Sequence, residues 1–412
     1  MTQQTETKRQ PVPRGLARTG PVVLSYGFRP FFLAAGVWGI AAMALWIATL
    51  AGGMDAGGSL GGVAWHAHEM LFGYSTAVLA GFLLTAVPNW TGRLPVSGLP
   101  LLGLFAVWCL GRLALLFPEA IGPTWSVALD IVFLPLLLAI CAREVFAGKK
   151  WKDLKVLAAL LALAVANANF DLAMLASGDT ALPSRIAVAA YVMLVAIIGG
   201  RIVPSFTRNW LARNGWKAFP AAYSAFDTVA LLIGLLALTV WVLVPEGWPV
   251  AVLHLTACSL HGWRLWRWHG WAARAEGLVL ILHVGYAFVP LGFLCAAMAT
   301  LGLMEHAAAL HVFTVGAIGT MTLAVMTRAT RGHTGLPLQA SALTIASYAA
   351  VVCAAIVRPL NAVLPDLTLE IYSAAGLLWI LAFAFYVLEY APPLLGRRKD
   401  LPPSPERSVA AP

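Results

Sequence analysis

Long apolar segments dominate this chain and limit what it can fold into. A helix of about 20 apolar residues crosses the roughly 30 Å hydrocarbon core of a bilayer. Cutting the sequence at its polar, proline and glycine residues predicts twelve such spans, at 29–51, 64–88, 98–117, 123–143, 154–176, 183–204, 221–245, 247–266, 278–303, 305–327, 339–358 and 368–394. The sequence therefore predicts an all-α, polytopic membrane protein with a transmembrane domain at 29–394 between polar tails, 1–28 and 395–412.

Charged side chains are too few to cover a water-soluble surface. Only 11% of the 412 residues are Asp, Glu, Lys or Arg, against about 25% in ordinary soluble domains, which excludes a cytosolic enzyme. The five cysteines show no C-x-x-C, C-x-x-C-H or zinc-type spacing. A disulfide scaffold, covalently attached c-type haem and a zinc finger are therefore not expected.

The charged loops orient the chain in the membrane. With a cytoplasmic N-terminus, every basic residue except Arg112, Arg185 and Arg358 falls in or next to a loop or tail on the cytoplasmic side. The loops on the other side carry acidic residues such as Asp55 and Glu305. This is the distribution that the positive-inside rule describes. It predicts cytoplasmic N- and C-termini, and it explains the net charge of +9 without a nucleic-acid partner.

The inner ends of spans 2, 6 and 10 resemble one another. They contain the segments Ala86–Thr91 (AVPNWT), Ile202–Thr207 (IVPSFT) and Ala324–Arg328 (AVMTR). Small residues, Pro and Thr are common at helix ends, which is one explanation. The other is a same-direction internal repeat, with the twelve helices arranged as three arcs of four.

Five of the nine histidines are predicted to lie at one depth, near the outer membrane surface. They are His66 and His68 in span 2, His254 in span 8, and His306 and His311 in span 10. Ionisable groups in lipid are costly and are functional candidates by default. Histidine is a common ligand of haem iron and of borderline metals. A hydrogen bond between helices explains a single such histidine, but the shared depth on three helices favours metal or haem.

The two histidines of span 2 are predicted to face different neighbours. On a helix, His66 and His68 are about 200° apart, whereas His66 shares its face with Glu69 and Met70. One imidazole is therefore expected to reach a cofactor inside the bundle. The other is expected to meet a neighbouring helix or the aqueous rim.

Further polar residues are predicted inside spans 3, 4 and 5. Arg112 and Asp130 lie at similar predicted depth, which indicates either a structural ion pair or an arginine that binds a haem propionate. Asn167, Asn169 and Asp171 crowd the outer half of span 5. They either form hydrogen bonds between helices or line a polar path, and the sequence leaves both alternatives open.

Six groups of residues form recognisable motifs along the chain. They are Tyr26–Phe32, Trp65–Gly73, Gly81–Gly92, Gly199–Arg201 with Phe206–Asn209, His311–Arg328 and Gly332–Gly335. These motifs resemble the NnrS family, and the resemblance extends from about residue 25 to 395. The resemblance implies an inner-membrane protein that contains b-type haem and copper and is linked to denitrification and nitric oxide tolerance.

A fainter resemblance is to the main subunit of haem-copper oxidases, which also has twelve helices in three arcs. His66 with Met70, and His311 followed by Gly316 and Ala317, look like the haem-ligand helices 2 and 10 of that subunit. Span 6 has no histidine, so the oxidase's copper-binding set is missing. Oxygen reduction coupled to proton pumping is therefore not expected.

These resemblances lead to one hypothesis about the site and one rival. Haem iron is expected on His66 and His311, with Arg112 as a cofactor-binding residue, and copper on some of His68, His254 and His306. The expected partners are nitric oxide or iron-nitrosyl species, membrane lipid and an electron donor, in the bacterial cytoplasmic membrane. The rival is a twelve-helix transporter in which the histidines form a substrate or proton path. A haem-bearing sensor or assembly factor without turnover is a third alternative.

Overall fold

The computed structural model describes residues 20–398, and this part of the chain is helical, without strands. Most of the predicted tails, 1–28 and 395–412, lies outside the described residues. Twelve long helices account for most of the described chain. They are α1 Phe28–Leu50, α2 Gly62–Thr91, α3 Leu99–Leu116, α4 Pro123–Ala147, α5 Trp151–Leu175, α6 Ala181–Arg213, α7 Ala225–Leu243, α8 Trp248–Trp266, α9 Gly277–Thr300, α10 His306–Thr334, α11 Ala342–Ala362 and α12 Pro365–Leu395.

Eleven of these helices are long and apolar enough to cross a membrane, so the described chain is that of a multi-pass membrane protein. The exception is α8, which has 19 residues and the length of a span. It contains His254, His261 and Arg264, which lower its mean hydropathy. All three side chains are buried, so α8 turns its polar groups towards protein.

The helices follow the predicted spans closely except at the C-terminal ends of α6 and α10. The span predicted at 183–204 continues to Arg213, and the span predicted at 305–327 continues to Thr334. Pro204 lies inside α6. A proline removes one backbone donor, and a membrane helix continues past it where neighbouring groups satisfy the freed backbone carbonyl. The end of α10 is set by Gly335, whose φ of 76° is the left-handed conformation that glycine adopts readily.

Three helices of the described chain contain π-helical segments, and they are the three whose C-terminal ends resemble one another in sequence. The segments are Glu69–Tyr74 in α2, Val195–Gly199 in α6 and Val312–Gly319 in α10. The three helices also contact one another. They thus share an irregularity as well as a sequence similarity, and the arrangement in three arcs stays a prediction.

Candidate functional site

A buried group of polar side chains surrounds the beginning of α2. It joins α2 to α3, α4 and α5, and all its members are at most 4% exposed. We call it the His68 cluster, and it consists of His68, Glu69, Arg112, Asp130, Asn167 and Asp171.

Both ring nitrogens of His68 face oxygen atoms. Its Nδ1 lies 3.2 Å from a carboxylate oxygen of Glu69. Its Nε2 lies 3.1 Å from the Asn167 amide oxygen, 3.2 Å from Asp130 Oδ2 and 3.0 Å from Asp171 Oδ1. A single N–H cannot donate well to three acceptors at once. One nitrogen and several oxygens that converge in this way are also a donor set that a metal ion can use.

Arg112 is engaged by two protein carboxylates. Its Nη1 donates to Glu69 Oε2 at 2.8 Å, and its Nη2 forms an ion pair with Asp130. The pairing of Arg112 with Asp130 was one of the two alternatives that the sequence left open. Because both terminal nitrogens already contact carboxylates, these contacts favour the structural ion pair over a haem propionate.

The His68 cluster contains more carboxyl groups than cationic groups. When all three carboxyl groups (Glu69, Asp130 and Asp171) are ionised, Arg112 and a protonated His68 leave an excess of one negative charge. Buried charge is tolerated where it is paired or binds a metal. Among the described residues, His68, Asp130 and Asp171 form the one group of at least three potential metal ligands whose donor atoms all lie within 4.8 Å of one another.

Glu69 and His66, which were predicted to share a face, both contact tryptophans of α1. Glu69 accepts a 2.7 Å hydrogen bond from the Trp38 indole, and the His66 ring stacks on Trp46. The Glu69 carboxylate also contacts His68 and Arg112. The π-helical segment of α2 begins at Glu69, so the angular spacing of a regular α-helix no longer holds beyond this residue.

The two predicted haem ligands, His66 of α2 and His311 of α10, have different immediate contacts. The His66 ring stacks on Trp46 with a centroid distance of 4.5 Å. His311 Nδ1 donates to the Ala307 carbonyl at 2.6 Å, so in its neutral form Nε2 carries a free lone pair. Metal-ligating histidines are commonly held by such a bond. The two imidazoles lie close enough to interact electrostatically, and Arg358 lies within range of both.

A family model described as NnrS protein matches residues 22–398. The chain belongs to the NnrS family. This family is linked to the nitric oxide response and is known as metal-binding. The buried His68 cluster and the His66–His311 pair are therefore the two places to look for bound metal in this family member. A search of the curated proteins gave no match.

Sequence reasoning missed Arg358, which the structure places beside the His66–His311 pair. Its guanidinium lies 3.7 Å from the centroid of the Tyr372 ring and donates to Asn361 Oδ1 at 2.9 Å. A half-buried arginine at this place is a suitable partner for a cofactor carboxylate. The sequence did mark Arg358 as unusual, because it is one of the three basic residues outside the predicted cytoplasmic loops and tails.

The remaining predicted copper ligands lie in different surroundings. His254 is fully buried against Trp241 and Phe293, and neither ring nitrogen has a hydrogen-bond partner among residues 20–398. His306 is exposed at the beginning of α10. Within residues 20–398, His68, His254 and His306 do not form a three-ligand group. The copper set stays a prediction, and His254 fits a ligand best because its unpartnered nitrogens are costly unless something binds them.

Proposed function

We propose that this NnrS family member is a haem- and copper-containing protein of the bacterial cytoplasmic membrane. It acts on, or buffers, nitric oxide or its iron-nitrosyl products, and in this way protects against the nitrosative stress associated with denitrification. We further propose that all twelve long helices span the membrane, with both termini in the cytoplasm. The observation that carries the haem proposal is the pair His66 and His311, in which a backbone carbonyl fixes the His311 tautomer.

Haem iron bound at this pair would supply a centre that binds nitric oxide or transfers electrons. His311 would bind the iron through Nε2, while its Nδ1–H stays on the Ala307 carbonyl. Stacking on Trp46 would hold the His66 ring in place. Arg358 would accept a haem carboxylate better than Arg112, because within residues 20–398 it forms no ion pair, whereas Arg112 contacts two carboxylates. Ligation by both histidines suits electron transfer, whereas ligation by one leaves a coordination position for nitric oxide.

Copper is proposed on ligands among His68, His254 and His306. Support comes from the unpartnered nitrogens of His254 and from the oxygens around His68 Nε2. The carboxylates beside His68 also suit a harder divalent ion than copper(I), because oxygen donors favour hard cations. An electron donor is a further proposed partner.

The haem proposal is tested by replacing His311 with alanine. The visible spectrum of the purified protein, oxidised and dithionite-reduced, is recorded with iron and copper counted on the same sample. We expect His311→Ala to insert normally and to lose the haem bands. His306→Ala is the matched control, because it changes an exposed histidine on the same helix and should keep them. Unchanged haem content in His311→Ala would refute the assignment.

The second candidate is a transporter, which the buried charges of the His68 cluster favour, because charged groups inside membrane helices often mark ion or proton paths. A protein that stays colourless after expression with haem supplied, and that takes up substrate in liposomes, would support this candidate. A haem protein that binds nitric oxide without consuming it would instead indicate a sensor.

A further inference from the structure

The contacts around His68 allow its Nε2 to act as an electron-pair donor. Its Nδ1 faces the Glu69 carboxylate, which accepts hydrogen bonds. With the ring proton on Nδ1, Nε2 of the neutral imidazole carries a lone pair. Nε2 then meets oxygens of Asn167, Asp130 and Asp171, at 3.1, 3.2 and 3.0 Å respectively. Four electron-rich atoms converge in this way on one point, and a cation between them would turn their repulsion into attraction.

Other groups hold the three oxygens in these positions. The Asn167 amide nitrogen donates to Asp130 at 2.9 Å and to Asp171 at 3.4 Å, which turns the amide oxygen towards His68. The second oxygen of Asp130 pairs with Arg112. Asp171 Oδ1 is buried and has no hydrogen-bond partner in the described part of the chain. Such an oxygen is costly unless something binds it, so the arrangement points to a ligand at this place.

The charge of the cluster fits a divalent ion. With Glu69, Asp130 and Asp171 ionised and His68 neutral, three negative charges and the one positive charge of Arg112 leave two negative charges. A proton on His68 compensates only one of them, whereas a divalent cation compensates both. Buried charge is tolerated where it is paired or binds a metal.

The spacing of the donor atoms fits a small divalent ion. Ligands that lie about 2.0–2.2 Å from a metal are roughly 2.9 Å apart in an octahedral site and roughly 3.4 Å apart in a tetrahedral one. The distances from His68 Nε2 to the three oxygens, 3.0 to 3.2 Å, lie between these values. Calcium takes about 6–8 oxygen ligands, more than these four donors supply. One imidazole with carboxylate and amide oxygens, and no sulfur, suits zinc better than copper(I).

We propose that His68, Asn167, Asp130 and Asp171 bind one redox-inactive divalent ion of the zinc class. Glu69 is a positioning residue, since it holds the proton on Nδ1 and leaves Nε2 to the metal, an arrangement common for metal-bound histidines. The ion would join α2 to α4 and α5 inside the membrane domain. This inference does not rest on the haem of the proposed function, and it leaves His254 and His306 as the proposed copper ligands.

Zinc is the probe for this site, and its content is the measurement. The protein is expressed with zinc supplied, purified and washed briefly with EDTA, which removes ions from exposed groups such as His306 but not from a buried cluster. Zinc, iron and copper are then counted on one sample. We expect wild type to retain about one zinc ion per chain and Asp171→Asn to lose it. Asp153→Asn is the matched control, because Asp153 is a buried aspartate of the same helix that pairs with Arg201 instead, and it should keep the zinc.

X-ray absorption at the zinc edge of wild type decides the matter if Asp171→Asn does not fold. We expect one imidazole and several oxygen donors at about 2.0–2.2 Å. Sulfur ligands, or two or more imidazoles, would overturn the proposal. So would the absence of zinc after the wash, or equal zinc in wild type and Asp171→Asn.

The metal counts also separate this proposal from the proposed function. Copper that replaces zinc in wild type and disappears in Asp171→Asn would overturn the zinc assignment and would support His68 as a copper ligand. A colourless protein that keeps its zinc would refute the haem proposal alone. A haem protein without zinc would refute the zinc proposal alone.

Discussion

Replacing Arg112 by methionine is expected to destabilise the protein far more than removing a carboxylate from the same cluster. Arg112 is the permanent positive charge among Glu69, Asp130 and Asp171. Without it, three buried carboxylates face at most one positive charge, on His68. Breaking a buried ion pair by removing one partner costs about 3–5 kcal/mol. We expect Arg112→Met to lower the free energy of unfolding by an amount in this range.

Asp171→Asn should have a much smaller effect, because it removes one charge from a cluster that has an excess of negative charge. The amide keeps the shape of the side chain and still accepts a hydrogen bond from His68. The expected cost is about 1 kcal/mol, that of one hydrogen bond. Arg112→Met combined with Asp130→Asn should recover part of the loss, because neighbouring charges in one network couple by roughly 0.5–3 kcal/mol.

The assay is reversible unfolding of metal-stripped protein in mixed micelles, followed by tryptophan fluorescence. Arg185→Met is the control, because Arg185 also lies within a helix but donates to the Val242 carbonyl and has no carboxylate partner within the described chain. It should cost about 1 kcal/mol. If Asp171→Asn is as damaging as Arg112→Met, the excess negative charge is not the property that governs this cluster, and the reasoning fails.

Two further predictions concern His254 and Glu119. His254→Phe should raise the melting temperature of the metal-stripped protein, because two buried nitrogens without partners each cost about 1–3 kcal/mol. In protein that has not been stripped of metal, the same substitution should lower the copper content. A lower melting temperature of the stripped variant would contradict the first expectation. Glu119 lies outside the spans and accepts a 2.9 Å hydrogen bond from the Ser59 amide, which holds the pKa of its carboxyl below the ordinary value of 4.5. The stabilisation of this loop is therefore present above pH 4.5 and lost as the pH falls through the lower folded pKa, so the protection factor of the Ser59 amide, its exchange rate relative to a free amide at the same pH, should fall in acid. In Glu119→Gln, a protection factor that falls with the pH in the same way would count against this contact.

Hydropathy predicted the long helices well, because the need for apolar residues in lipid acts along the chain and is visible residue by residue. The partners of buried polar groups were less visible, since they depend on how helices pack. Asp171 was recognised as one of several polar residues in span 5, but its approach to His68 depends on the packing of α2 against α5. Glu69 was predicted on the face of His66, but its hydrogen bonds to Trp38 of α1 and Arg112 of α3 depend on how those helices pack against α2.

The length of α6 also depends on helix packing, which the sequence does not show. A proline is the usual sign of a helix end, and Pro204 was read in that way. In the structure α6 continues nine residues further, to Arg213, because its neighbours support the helix on both sides of the proline. The sequence indicates where a backbone donor is missing, but whether the helix continues depends on the packing around it.

The π-helical segments fix the rotation between the two halves of α2, α6 and α10. A π turn closes its hydrogen bond one residue later than an α turn, and one residue corresponds to about 100° of rotation. In α2, the segment Glu69–Tyr74 thus sets the angle between the two histidines before it and the helix Ser75–Thr91 after it. Removing one residue there would leave the apolar character of the helix intact while rotating His66 and His68 away from their neighbours. Insertion or deletion of a single residue in such a segment is therefore a route by which proteins of this architecture re-aim buried side chains without rebuilding the membrane-embedded core.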